Sequence, residues 1–309
     1  VAAVSDGATV LVEAGEYAGP VIISKALTLI GAGPGFVTVT RGVIVAGPFP
    51  VTIRGLTITQ GLNGLQAQAP PGLPAQFSPV VVLENVTIAG NATNGIALFD
   101  ASRAILSNVT VTQNGISILG NPVGSGIALR GQASLVTAGP VVVRENGANG
   151  ISLLDESSAQ IGAGTFIARN GLSGVQLGGR AQATFTDVIS RENGCYGIAV
   201  EDDATAQITG GRLEANAKAG LHVGGPSSTI SGCQTLLDTP GHATAAVEGT
   251  VIAGNAIGVL VGDLSKERDQ GTVRLTLVTF LGNGCDLLVD TAYSADSVVV
   301  EGTLYTACK

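Results

Sequence analysis

Four aspartates, Asp100, Asp155, Asp202 and Asp263, each follow a short run of glycine, aliphatic, any residue, aliphatic, as in Gly150-Ile151-Ser152-Leu153 ahead of Asp155. Carboxylates recurring at one frame position could gather on a hard cation, which takes several oxygen ligands at ~2.3–2.6 Å. That chemistry needs them on neighbouring turns of chain. Between Asp155 and Asp202 the same place is taken by Gly179, which leaves those two about two strand spacings, ~9–10 Å, apart. Such a gap is too wide for a shared ion, so a turn role is expected of the four and no metal centre. His222 holds the outward position of its run, where the other runs carry Ala97, Ala128, Ser152, Gln176, Ala199 and Leu260. With no acids converging on it in this reading, His222 is an exposed binding candidate. The four cysteines give two pairings. Cys285 and Cys308 are 23 residues apart, and one coil of that length would bring them within disulfide reach. Cys195 can pair with Cys233, which lies in an insertion; the alternative for all four is the buried thiol.

These residues must be positioned by a repeat. Asn91, Asn114, Asn146, Asn170, Asn193, Asn216, Asn255 and Asn283 each close a β-branched run, at intervals of 23, 32, 24, 23, 23, 39 and 28 residues. Four of the seven intervals are 23 or 24, and a fixed period in this range marks a stacked solenoid. Like then falls on like: aliphatic side chains inside and an amide ladder at one corner, where stacked Asn side chains hydrogen-bond along the axis. Forty-five glycines suit many sharp turns, and with aromatics at 4 % and no Met or Trp the core must be Val, Ile, Leu and Ala. Net charge is −8 with 12 % charged residues, which argues against nucleic acid, a partner that needs a clustered basic surface. No stretch approaches the ~20 uninterrupted apolar residues of a spanning helix.

The opening run DGATVLVEAGEYAGPVIISKALTLIGAGPG and the later Asn-Gly-Ile coils resemble the pectin-lyase-like right-handed parallel β-helix superfamily, over nearly the whole chain. The resemblance implies fold more than activity, because enzymes and surface proteins share that fold. It also implies where catalysis would sit. Polygalacturonase-like hydrolases carry N-T-D, D-D, G-H-G and R-I-K on successive coils, and here Asp202-Asp203 and Gly241-His242 occur in that order. The coil before has Gly178-Gly179 in place of an acidic motif, Ala243 follows His242, and R-I-K is missing. The motif therefore does not supply the full pair of carboxylates on successive coils that glycoside hydrolysis needs. Asp202, Asp203 and His242 remain the catalytic candidates if the chain is an enzyme. No cofactor is expected, with Ca²⁺ entering only under a lyase reading. Superfamily members usually cap the N-terminal end with a helix, and here the chain opens beyond where it would lie, so a fragment or mature portion of a longer polypeptide is expected.

Insertions near 68–78, 116–124, 226–242 and 264–271 interrupt the period, three of them at one corner, where loops could rim a groove. Glu145, Arg169 and Glu192 precede Asn on three successive coils with alternating sign, a charge ladder that resists register slip. One residue pattern outward, Val142, Phe166 and Ile189 would expose an apolar stripe for a partner or for self-association. The Thr-x-Thr pairs at 38/40, 57/59 and 110/112 are read as not falling into one regular array, which argues against an ice-binding solenoid.

The expected architecture is all-β: one right-handed parallel β-helix domain over 1–309, of about eleven coils of 23–24 residues. The expected function is a non-catalytic recognition or structural module, extracellular, periplasmic or on the cell surface, that binds glycan or a surface protein. The alternative is a polysaccharide-acting enzyme: a uronate polymer lyase, a glycoside hydrolase or an epimerase.

Overall fold

A computed structural model describes residues 3–116, 124–224, 233, 241–262, 270–289 and 298–308. Two compact units make up the chain, Val1–Ala148 and Asn149–Lys309. Each is a stack of parallel coils of a right-handed β-helix, and every strand pairs in parallel with the equivalent strand one coil away.

Each coil contributes a short strand to one wall and one long or two separate strands to the others. In the first unit the short-strand wall runs Val21–Ile23, Val43–Ala46, Leu65–Gln68, Ile96–Leu98 and Ile127–Leu129. In the second it runs from Ile151–Leu153 through Val175–Leu177, Tyr196–Val200, Ala219–Val223 and Ile257–Val261 to Cys285–Val289. Register is like on like: Val175 stacks on Ile198, Leu177 on Val200, and Ile198 on Leu221. The inward residues form a dry aliphatic interior with Leu65, Ile96, Ile151, Ile198 and Leu221 wholly buried. Alternation fixes this, because a one-residue slip would turn every aliphatic group outward.

Corners are made by left-handed residues. Gln60, Gln113, Glu145, Arg169, Glu192 and Ala215 all have φ between 52° and 57°. Five of these six stand directly before a ladder Asn. Gln60 is the sixth; the residue after it, Gly61, donates its backbone N–H to Asn91. The charge ladder read from Glu145, Arg169 and Glu192 is thus laid over a backbone requirement. Its ion pairs are exposed or half-exposed, Arg169–Glu192 at 3.8 Å and Arg144–Glu145 at 3.0 Å, and contribute little each.

The asparagines stack. In the first unit Asn91 donates both its backbone N–H and its side-chain amide to Asn114 Oδ1, and Asn114 does the same to Asn146. In the second, Asn170, Asn193, Asn216, Asn255 and Asn283 form one continuous chain of such pairs, with amide-to-amide distances of 2.9–3.1 Å. The ladder dictates the glycine that opens each short strand. A Cβ on Gly174 or Gly197 would lie 2.8 or 2.9 Å from the amide nitrogen of Asn193 or Asn216 on the next coil. Asn and Gly therefore recur together because one occupies the space that the other leaves.

Two disulfides join Cys195 to Cys233 and Cys285 to Cys308, with Cα separations of 5.7 and 5.4 Å. The second sits between neighbouring chain at the last coil, where Leu287 bridges Ala307.

Candidate functional site

The corner after the short strands brings Asp202, Asp203 and His242 together, and it uses the carboxylates on backbone. Asp202 is buried, left-handed at φ 55°, and its Oδ2 accepts the N–H of Gly179 at 2.7 Å. Asp203 Oδ1 accepts the N–H of His242 at 2.9 Å, and the His242 ring contacts Thr272 Oγ1 at 2.9 Å. Asp100 follows the same rule, its Oδ2 taking the N–H of Ala69 at 2.9 Å. Left-handed backbone at Asp100, Gly131, Asp155, Gly179 and Asp202 shows why Asp and Gly interchange here. Asp263 lies outside the described residues. Among those described, no three His, Cys, Asp or Glu side chains converge as ligands for a metal.

His222 is corrected: it is fully buried, not a surface residue. Its Nδ1 lies 3.8 Å from Glu201 Oε1, its Nε2 lies 3.3 Å from the carbonyl of Gly262, and its ring stacks on Tyr196 with centroids 4.7 Å apart. Glu201 in turn accepts from Gln176 at 3.0 Å, and Gln176 accepts from Asn149 at 2.7 Å. A buried polar chain thus crosses four coils on the outer side of the short-strand wall. Cys195, Tyr196, Ala199, Ala219, Cys233 and Leu260 pack together beside it. Sequence reasoning missed the burial of Gln176 and His222 because outward was taken to mean exposed, and it singled out neither Tyr196 nor Glu201. The available signal was Cys233: an insertion tied to Cys195 must bring at least that residue back over this wall.

The proposed apolar stripe is also less open than its facing implies. Phe166 and Ile189 point outward and stand in register, yet both are half-buried, and the Arg191 guanidinium lies 5.2 Å over the Phe166 ring. Val142, in the first unit, pairs with Thr110 and is half-buried as well.

What is open is the outer face of a different wall. In the second unit Ser158–Ile161, Gln182–Thr186, Thr205–Thr209, His242–Glu248 and Gln270–Thr276 stack in register. One outward column reads Gln160, Thr184, Gln207, Ala246 and Arg274; its neighbour reads Thr186, Thr209, Glu248 and Thr276. These side chains are exposed, or half-buried at Thr276. Gln207, Thr209, Ala246, Glu248, Arg274 and Thr276 line a shallow depression. Arg274 is held by a two-fold contact to Glu301 at 2.8 and 2.9 Å. In the first unit, Thr38, Thr57, Thr87 and Thr110 also stack in one column, contrary to the expectation that the Thr pairs would not align.

Comparison with known proteins places this geometry. No curated protein matches the chain by sequence. Among solved structures it is similar to the A-module of Azotobacter vinelandii mannuronan C-5 epimerase AlgE4, at 17 % identity and TM-score 0.62, covering 95 % of this chain and 91 % of that one. The AlgE6 A-module of the same organism is alike at 20 % identity and TM-score 0.62, covering 98 % and 91 %. Pectate lyase Pel9A follows at 15 % identity and TM-score 0.55, covering 84 % and 70 %. At these identities the likeness is one of fold. The model of the right handed beta helix region matches residues 41–235, well over half of the chain, and the protein belongs to that family.

Proposed function

We propose that this β-helix is a non-catalytic polysaccharide-recognition module. The observation that carries the reading is a division of labour in the second unit. The acids of the corner, Asp202 and Asp203, are engaged in holding adjacent coils together, while the broad open wall beside them presents hydroxyls and amides. Groups that both donate and accept suit sugar hydroxyls, and the rigid stack holds them in place without ordering cost. Structural neighbours whose names describe epimerases and lyases of polysaccharides support a glycan partner over a protein partner. Two disulfides among the described residues, and no helix there long and apolar enough to cross a membrane, fit an extracellular, periplasmic or cell-surface site. A surface-protein partner or self-association through Val142, Phe166 and Ile189 has weaker support, because those side chains are half-covered.

The second reading, a polysaccharide-acting enzyme, is favoured by one observation: the Glu201 carboxylate lies 3.8 Å from the His222 imidazole, on which the Tyr196 ring stacks. These are groups able to move protons. One experiment separates the two. The protein is incubated with polygalacturonate, alginate and neutral glucans, while bound fraction, unsaturated product, new reducing ends and uronate epimer content are followed. Retention without chemical change is expected. Turnover that disappears in Glu201→Gln would replace recognition by catalysis.

A further inference from the structure

We infer that the outer wall formed by 158–161, 182–186, 205–209, 242–248 and 270–276 is a docking surface for an uncharged polysaccharide in packed, multi-chain form. The inference rests on the recognition reading and names the ligand class and the place.

Charge excludes one class of ligand. Within the two outward columns named above, the charged groups are Arg274 and Glu248, and Arg274 is already occupied by Glu301, so the charge left over is the negative one of Glu248. A polyuronate would therefore meet no unpaired cation on these columns, in a chain of net charge −8. An uncharged, hydroxyl-rich polymer meets a surface of matching polarity.

Shape argues for a packed ligand. The columns contain no aromatic ring, so no apolar platform is offered to a single sugar. Each Thr or Gln contact contributes only about 0.5–1.5 kcal/mol net. Affinity then has to come from many contacts made at once to a ligand that is itself periodic and rigid. The wall supplies that periodicity. Neighbouring coils are ~4.7–4.9 Å apart, and alternate residues along a strand are ~6.6–6.8 Å apart. Thr184, Thr186, Thr209, Thr276 and Ala246 are short, and Ala246 is among the residues that line the depression, which lets a flat array of chains approach there. In the first unit the corresponding wall is interrupted: one column there is Thr9, Thr28, Thr52, Val82 and Ile105, and the next contains Leu11 and the Arg54–Glu84 ion pair.

The test uses the whole chain in depletion assays against microcrystalline cellulose, insoluble β-1,3-glucan, calcium alginate beads and calcium polygalacturonate gel, with soluble cello-oligosaccharides as competitor. Retention on a neutral insoluble glucan is expected, with little competition from the soluble sugars. Thr184→Glu with Gln207→Glu should lower retention at least about tenfold, by adding two unpaired carboxylates to the contact. Thr87→Glu, on the first unit, should leave it unchanged. Circular dichroism of each variant shows that the β-helix is intact. Retention on the uronate gels alone would overturn this inference and leave polysaccharide recognition standing. Retention on no polymer would overturn both. Full retention by the double variant would move the surface elsewhere, and inhibition of ice recrystallisation without polymer retention would assign the array to ice.

Discussion

Inside, the two units are the same object; outside, they differ. Both stack Val, Ile and Leu in register, both place left-handed residues at their corners, and both run an Asn ladder at 2.8–3.1 Å between amides. On the outer short-strand wall, the first unit carries a half-buried amide chain from Asn63 to Gln66 to Gln68. The second carries Asn149, Gln176, Glu201 and His222, all buried. A buried carboxylate beside an imidazole is costly, and the first unit folds without one. What the coils share is therefore what stacking demands, and what separates the units is not required by stacking.

Breaking the shared element should have a large effect and should not distinguish the units. Asn193→Ala removes an acceptor for Asn170 and a donor to Asn216, all buried. A loss of about 3 kcal/mol is expected, and Asn114→Ala should cost a similar amount. Urea unfolding of each variant checks this; a loss under about 1 kcal/mol at both sites would mean that the ladder follows the fold instead of holding it.

The next effect should separate the units. Replacing Cys195 and Cys233 by Ser opens a closure of 38 residues and should cost about 2–4 kcal/mol. It should also raise hydrogen exchange at Tyr196–Val200 and Ala219–Val223, leaving Ile96–Leu98 unchanged. Exchange rising equally in both units would show that the bridge acts only on the unfolded chain.

The smallest of the three is the sharpest. His222→Ala leaves Glu201 buried and short of a neighbour that can carry positive charge, at about 2 kcal/mol, whereas Gln68→Ala, half-buried in the first unit, should cost under about 0.5 kcal/mol. Equal costs, read from thermal unfolding, would remove the contrast between the two walls.

The stack itself was legible because its causes are local and repeat. Asn193 announces a corner, Gly197 the space the next Asn needs, and Ile198 with Val200 the inward side of a strand. Turn roles for Asp100 and Asp202 followed from spacing alone. His222 was misplaced for a specific reason. Alternation tells which way a side chain points but not what lies over it, and Cys233 reaches that wall from another part of the chain. Glu201 and Tyr196 gave no periodic signal, being single departures at positions held elsewhere by Phe99 and Arg130, or by Asn94 and Asn149. Phe166 pointed as expected, yet Arg191 from the next coil lies over it.

Periodicity in one dimension set the winding, the ladder and the facing of each strand, since those depend only on residues one lap apart. Which outer wall stays open to solvent and which is closed around an acid and an imidazole was decided in three dimensions. Solvent access depends on chain that returns from far along the sequence, with no period to reveal it.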